Sequence, residues 1–265
     1  MNLPFEKYQA TGNDFVIIDQ RSSKYLNRAD TSTIRKICDR RFGIGADGLI
    51  LLELHPEVDF EMIHFNSDGN ERTMCGNGGR CIVKYANTLG LINSSCEILA
   101  IDGVHKASIN AKNWVELQMI DVNDMQKVDE HYILNTGSPH YVEFREGVEK
   151  IDIEKEGARI RYSSNFKNEG INVNFAERNE GGIFLRTYER GVEGETLSCG
   201  TGVAAAALAA YNHFGLLGDK TRLKVNTPGG AQEVKFRKKD DGFSDIWLCG
   251  PADHVFSGEI DISQI

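Results

Sequence analysis

The sequence predicts an α+β chain of two pseudo-symmetric halves, each a mainly antiparallel sheet or barrel wrapped around a central α-helix, with a cleft between them. Three observations predict it. Short alternating runs are closed by tight-turn dipeptides, one helical run is apolar on every side, and several landmarks recur once at a nearly constant offset.

The alternating runs come first. Phe15-Val16-Ile17-Ile18-Asp19, Asp59 to Phe65 and Trp114 to Met119 suit half-buried antiparallel strands. Asp102-Gly103, Gly181-Gly182, Gly229-Gly230 and Asp241-Gly242 fall between such runs as hairpin signals. Three helices stand out. Asp30 is placed to cap the first, which carries Ile34, Ile37, Cys38 and Arg41. The second follows Cys75, with Cys81, Ile82, Tyr85, Ala86 and Leu89 on one stripe. The third, Val203 to Tyr211, has no polar face and is too short to cross a bilayer, so protein must surround it.

The repeat is read from three landmarks. Thr11-Gly12 recurs as Thr136-Gly137 (136 − 11 = 125), Gly43-Ile44 as Gly170-Ile171 (170 − 43 = 127), and Cys75-Gly76 as Cys199-Gly200 (199 − 75 = 124). One order at nearly one offset argues for two related halves. The boundary is placed in the polar stretch Asp121 to Asp124, giving halves of residues 1–120 and 121–253.

Bulk composition narrows the partners. With 39 acidic and 30 basic side chains the formal net charge is −9, and the densest basic run, Arg237-Lys238-Lys239, is followed at once by Asp240-Asp241. That excludes a phosphate-backbone footprint, so nucleic acid is not an expected partner. The first residues lack the charged-then-apolar profile of a signal peptide, and no apolar run reaches the ~20 residues that span a bilayer. A cytoplasmic protein without membrane contact is expected. The six cysteines are then expected as thiols rather than disulfides, with Cys38, Cys96 and Cys249 as small core residues. Cys75 and Cys81 lack the spacing of a structural zinc site, so no metal is expected.

Cys75 and Cys199 stand apart. Each opens onto a helix-like run through small, flexible residues, Gly76-Asn77-Gly78-Gly79 and Gly200-Thr201-Gly202. A thiol at a helix start gains the positive end of the dipole, which favours thiolate. The glycines let backbone N–H groups approach an anion closely. A cleft between the halves would bring the two loops face to face. Inverting a carbon that bears hydrogen needs one acid-base group on each face, about 3–3.5 Å from that carbon, and a thiolate with a thiol meets the need. N–H groups at Gly76-Asn77 and Gly200-Thr201 could then hold a carboxylate beside a carbanion.

The chain resembles the diaminopimelate epimerase family. The matching stretches are Ala10 to Phe15, Gly43 to Gly48, Phe65 to Gly69, Cys75 to Cys81, Gly137 to His140, Asn172 to Phe175, and Tyr188 to Gly191 leading to Glu195 through Gly202. The resemblance implies two similar α+β halves with the active site in the cleft, and residues 254–265 returning to the first half. It implies epimerisation of LL- to meso-diaminopimelate, in lysine and peptidoglycan precursor synthesis, without a cofactor. Cys199 would take the proton from the LL substrate and Cys75 would return one. Substrate contacts would come from Asn13, Asn66, Gly76, Asn77, Asn172, Glu189, Arg190, Gly200 and Thr201, with His140 and Glu189 biasing the thiol pKa values. A small-molecule substrate and a homodimer are the partners implied. Gly48 stands where some members carry a substrate-contacting glutamine, and Ser138 where asparagine is frequent.

Blander roles are open for single residues. Cys75 alone suits a structural thiol, Arg190 a surface ion pair, and His140 a satisfied core histidine. Asn13, Asn66 and Asn172 also suit turns. The glycines could serve backbone shape alone. For the whole chain the alternatives are a two-thiol racemase of a proline-type substrate, and a thiol redox or amino-acid-binding protein.

Overall fold

The first hairpin already shows how the chain builds its edges. Strands β1 (Asn2–Ala10) and β2 (Asn13–Asp19) pair antiparallel down to Ala10 opposite Asn13. Thr11 and Gly12 between them have φ of 49° and 85°. Both central residues of this tight turn are thus left-handed, as the twist of the flanking strands requires. For Gly12 that is free, whereas a β-branched threonine pays strain for it. The structure is a computed structural model that describes residues 2–216 and 220–264.

Residues 1–117 and 251–265 form one unit, and residues 118–250 the other. In the first unit, helix α1 (Thr31–Cys38) connects β2 to β3 (Gly48–Glu53), which pairs parallel to β2. Strand β4 (Phe60–Asn66) returns antiparallel to β3, and the two-residue β5 (Glu71–Arg72) pairs with its end. Helix α2 (Gly76–Thr88) follows, then β6 (Ser95–Ala100) parallel to β4, with β7 (Gly103–Ile109) and β8 (Val115–Gln118) added antiparallel.

The second unit repeats that order after β9 (Met125–Val128). Strands β10 (His131–Asn135) and β11 (Pro139–Phe144) form its hairpin, and helix α3 (Ile153–Arg161) leads to β12 (Asn172–Asn179), parallel to β11. Strands β13 (Gly182–Glu189) and β14 (Gly194–Thr196) precede helix α4 (Gly200–His213). Strand β15 (Lys220–Thr227), parallel to β13, is followed by antiparallel β16 (Gly230–Lys239) and β17 (Gly242–Gly250). The last strand, β18 (Asp253–Asp261), lies antiparallel against β1 in the first unit.

Pseudo-symmetry is therefore present strand by strand, and all four expected turn dipeptides join hairpin partners. Helix α4 is buried from Val203 through Ala210, enclosed by Leu134, Val142, Leu185, Val225, Phe236 and Leu248 among others. Alanine on every side lets strands approach that closely. Among the described residues no helix is long and apolar enough to cross a membrane.

Several local expectations are corrected. There are four α-helices among the described residues, not three, because α3 has only Ile153, Gly157 and Ile160 on its buried face. Phe15 to Ile18 are buried without alternation. Val16 and Ile18 pack with Ile34 and Ile37 of α1, while Gly78 of α2 lies against Phe15, so both faces of the strand are covered. Asp30 makes no capping bond to α1; its carboxylate accepts from Asn27 N instead. Arg41 lies beyond the helix, which ends where Asp39 turns extended and its carboxylate accepts from Arg41 N and Phe42 N. Leu89 caps the end of α2 and is exposed rather than part of the buried stripe. Cys38, Cys96 and Cys249 are buried, and burial pushes the Cys38 and Cys96 thiols up to about 12.

Candidate active site

Cys75 and Cys199 occupy the same position in their respective units, the N-cap of the central helix. Both have extended backbone, and the Cys75 and Cys199 carbonyls accept from Gly79 N at 2.7 Å and Val203 N at 2.8 Å. The thiol is thereby held at the positive end of the helix dipole.

In the first unit the strand ends that carry the expected site positions lie together. Phe15 is in register with Gly48, and Gly48 with Asn66, which puts the start of β2, the start of β3 and the end of β4 side by side. Asn13 Oδ1 lies 3.8 Å from Cys75 Sγ and accepts from Asn77 Nδ2 at 3.1 Å. Asn77 Oδ1 in turn accepts from Arg80 Nη2 at 3.0 Å. Arg80 is fully buried and also donates to Thr11 Oγ1 at 3.1 Å, which anchors the strained first hairpin to α2. The glycines pack as well as flex: a Cβ on Gly79 would stand 2.8 Å from Met74 Sδ and 2.9 Å from Leu117 Cδ2. A side chain at position 48 would begin 2.5 Å from Phe65 O, so the backbone here excludes a glutamine without rearrangement.

Charge beside this edge is tightly paired. Arg40 Nη2 donates to Asp14 Oδ1 at 2.6 Å and to Asp47 Oδ1 at 2.8 Å, and Lys7 pairs with Asp14 at 2.7 Å. Burial alone would raise the Asp14 pKa, but the hydrogen bonds from Arg40 and Lys7 outweigh it and hold the carboxyl at about 2.

The second unit brings together Ser138, His140, Asn172, Asn174, Glu189, Arg190, Thr201 and Cys199. His140 and Asn172 are in register at the starts of β11 and β12, and Val173 pairs with Tyr188 next to Glu189. Asn172 Nδ2 donates to Ser138 Oγ at 2.9 Å, and its Oδ1 accepts from Arg190 N at 2.9 Å. The Arg190 guanidinium donates to Ser138 Oγ at 3.3 Å and to Glu169 O at 3.0 Å. Ser138 thus ties the two together despite its short reach. Glu189 Oε2 accepts from Thr196 Oγ1 at 2.9 Å.

His140 is fully buried. Its Nε2 lies 2.9 Å from Thr201 Oγ1, and Thr201 Oγ1 lies 3.5 Å from Cys199 Sγ. Burial first, and the Arg190 charge second, push its pKa down to about 3, so the ring is neutral at pH 7. Asn174, Thr187, Asp47 and Arg80 were not among the expected site residues. For Asn174, Thr187 and Arg80, polarity inside an apolar strand or helix was the available signal; Asp47, exposed in the bend before β3, offered none. Among the described residues no cluster of three or more His, Cys, Asp or Glu is arranged to hold a metal ion.

The same fold occurs in solved structures. A Bacillus anthracis phenazine biosynthesis protein of the PhzF family matches with a TM-score of 0.76 at 15% identity, covering 98% of this chain and 99% of that one. A hydroxyproline epimerase from Agrobacterium vitis matches with a TM-score of 0.70 at 12% identity, covering 98% and 92%. The fold is that of the two-domain racemases, epimerases and PhzF-like proteins. In sequence, residues 5–123 and 132–255 match the diaminopimelate epimerase family. The diaminopimelate epimerase of Flavobacterium psychrophilum is 48% identical over 255 residues, covering 96% of this chain and 98% of that protein. The chain belongs to the diaminopimelate epimerase family, and is an isomerase.

Proposed function

We propose that this chain interconverts LL- and meso-diaminopimelate by a two-base transfer between Cys75 and Cys199. The observation that carries the reading is the matched placement of the two thiols at the N-caps of α2 and α4 in pseudo-symmetric units. Family membership supplies the substrate.

Starting from the LL isomer, the Cys199 thiolate takes the α-proton and the C–H bond breaks. The electron pair left on carbon is delocalised toward the adjacent carboxylate. The Cys75 thiol delivers its proton to the opposite face, forming a new C–H bond and leaving a Cys75 thiolate. Atoms and charge balance within the two thiols and the substrate, so the step calls on no metal or pyridoxal phosphate. The meso isomer runs the same steps in reverse.

The backbone at Gly76-Asn77 and Gly200-Thr201 would hold the α-carboxylate, because the starts of α2 and α4 carry the positive ends of the helix dipoles. Arg190 offers a planar fork to the distal carboxylate, oriented by Asn172 and Ser138. Glu189 would pair with an ammonium group, and Asn13 and Asn66 would contact the substrate beside Cys75. His140 and Glu189 would bias the thiol pKa values. We place the protein in the cytoplasm, as a homodimer serving lysine and peptidoglycan precursor synthesis.

The test is incubation with LL-diaminopimelate in deuterated water. Formation of the meso isomer with deuterium at the α-carbon is expected. An unlabelled, unchanged substrate would leave a racemase of other specificity, or a redox or binding protein.

A further inference from the structure

We propose that Asn174 is a positioning residue that fixes His140 as the Nε2–H tautomer, so that the Thr201 hydroxyl turns its own proton toward Cys199 Sγ. The consequence for catalysis rests on Cys199 being one of the two acid-base thiols. The tautomer does not.

The Asn174 side chain is fully buried on β12, and its amide has one orientation. Nδ2 lies 2.9 Å from Tyr141 O, a group that only accepts. Oδ1 accepts from Thr187 Oγ1 at 3.0 Å. A flipped amide would set oxygen against the Tyr141 carbonyl. Gly202 keeps this room open, since a Cβ there would stand 2.6 Å from Asn174 Oδ1.

With that orientation the second Nδ2 hydrogen points at His140 Nδ1, 3.1 Å away. Nδ1 must then present a lone pair. A neutral imidazole carries its one proton on the other nitrogen. Nε2–H therefore donates to Thr201 Oγ1 at 2.9 Å. A hydroxyl that accepts from histidine keeps its own hydrogen to give, and Cys199 Sγ lies 3.5 Å from it. Donation to sulfur favours the thiolate over the thiol. The imidazole thus acts on Cys199 through a hydrogen bond relayed by Thr201, with no charge of its own.

The relay is tested by nitrogen NMR of protein labelled with 15N-histidine at neutral pH. His140 is identified among the seven histidines by comparison with His140→Gln. The expected spectrum shows a protonated Nε2 and an unprotonated Nδ1. A proton on Nδ1 in the unaltered protein overturns the proposal, whatever any variant does. In Asn174→Leu, which has similar volume and no donor for Nδ1, the Nδ1–H form is expected to become populated and kcat to fall roughly ten- to a hundredfold with KM little changed. A ring that stays wholly Nε2–H in that variant also overturns the proposal, since Asn174 would then not be what fixes the tautomer. Thr201→Val, which loses the hydroxyl, should lose kcat, and Thr201→Ser, which restores it, should recover most of what Thr201→Val loses. Should Cys199→Ala keep epimerase activity, the two-thiol reading falls while the tautomer result stands on its own.

Discussion

Asn13 Nδ2 donates to Asp47 Oδ2 at 2.7 Å, and that bond turns the Asn13 amide oxygen toward Cys75 Sγ. A carboxylate only accepts, so the amide has one orientation here, and Arg80 fixes Asn77 next to it in the same way. Asp47 itself is about half exposed. Asp47→Ala, which also removes a partner of Arg40, should therefore lower stability by only about 1–2 kcal/mol. It should lower kcat roughly tenfold by freeing the amide to flip. Denaturant midpoints and steady-state rates in both directions check the pair of outcomes, and an unimpaired kcat would show that the amide orientation does not matter.

Cys75→Ala and Cys199→Ala are each expected to abolish inversion, since a single thiol serves one face of the carbon only. Far-UV dichroism should remain that of the parent. Normal turnover by either variant would sink the two-base assignment.

Acid should weaken the fold through His140. Its folded pKa is depressed to about 3, against ~6.5 for a free imidazole. Between those values the unfolded chain binds a proton that the folded chain does not, so stability contributed by the neutral ring falls as pH drops from about 6.5 toward 3. Asp14, held at about 2, adds a second loss from about 4 downward. In His140→Gln the decline in unfolding free energy across the first window should be shallower than in the parent protein. Parallel curves from denaturant titrations at several pH values would contradict it.

Two glycines separate fold from chemistry. A Cβ on Gly157 would stand 2.4 Å from Tyr188 Cβ, where α3 packs on β13. Gly157→Ala should cost about 1–3 kcal/mol by overpacking while the folded fraction keeps its activity. A Cβ on Gly202 would meet Asn174 Oδ1 at 2.6 Å and Cys199 Cβ at 3.3 Å. Gly202→Ala should therefore lose activity out of proportion to stability. Active-site titration alongside thermal melts distinguishes them, and equal behaviour of the two variants would refute the distinction.

What was legible in the chain depended on range. Turn dipeptides, the all-apolar helix and the repeated Thr-Gly and Cys-Gly landmarks are local signals, and they survive into the structure. Helix α3 escaped because Glu154, Lys155, Glu156, Arg159 and Arg161 leave too narrow an apolar stripe. Its place between β11 and β12, matching α1 between β2 and β3, was available from the repeat. Continuous burial of Phe15 to Ile18 escaped because it depends on which helices cover the strand. Asn174 escaped for a similar reason: its partners, His140 and Thr187, are 34 and 13 residues away in sequence.

The register of the two parallel strand pairs, β2 with β3 and β11 with β12, has one more consequence. Phe15 faces Gly48 as His140 faces Asn172, so the two rings hold equivalent places beneath the first turns of α2 and α4. One ring is a hydrocarbon and the other donates a hydrogen bond. Topology was duplicated while the environment of the thiols was not, so a transfer between Cys75 and Cys199 of the kind proposed would not run as mirror images in its two directions. Deuterium isotope effects measured from the LL and the meso side should accordingly be unequal, a bias written into a single strand position.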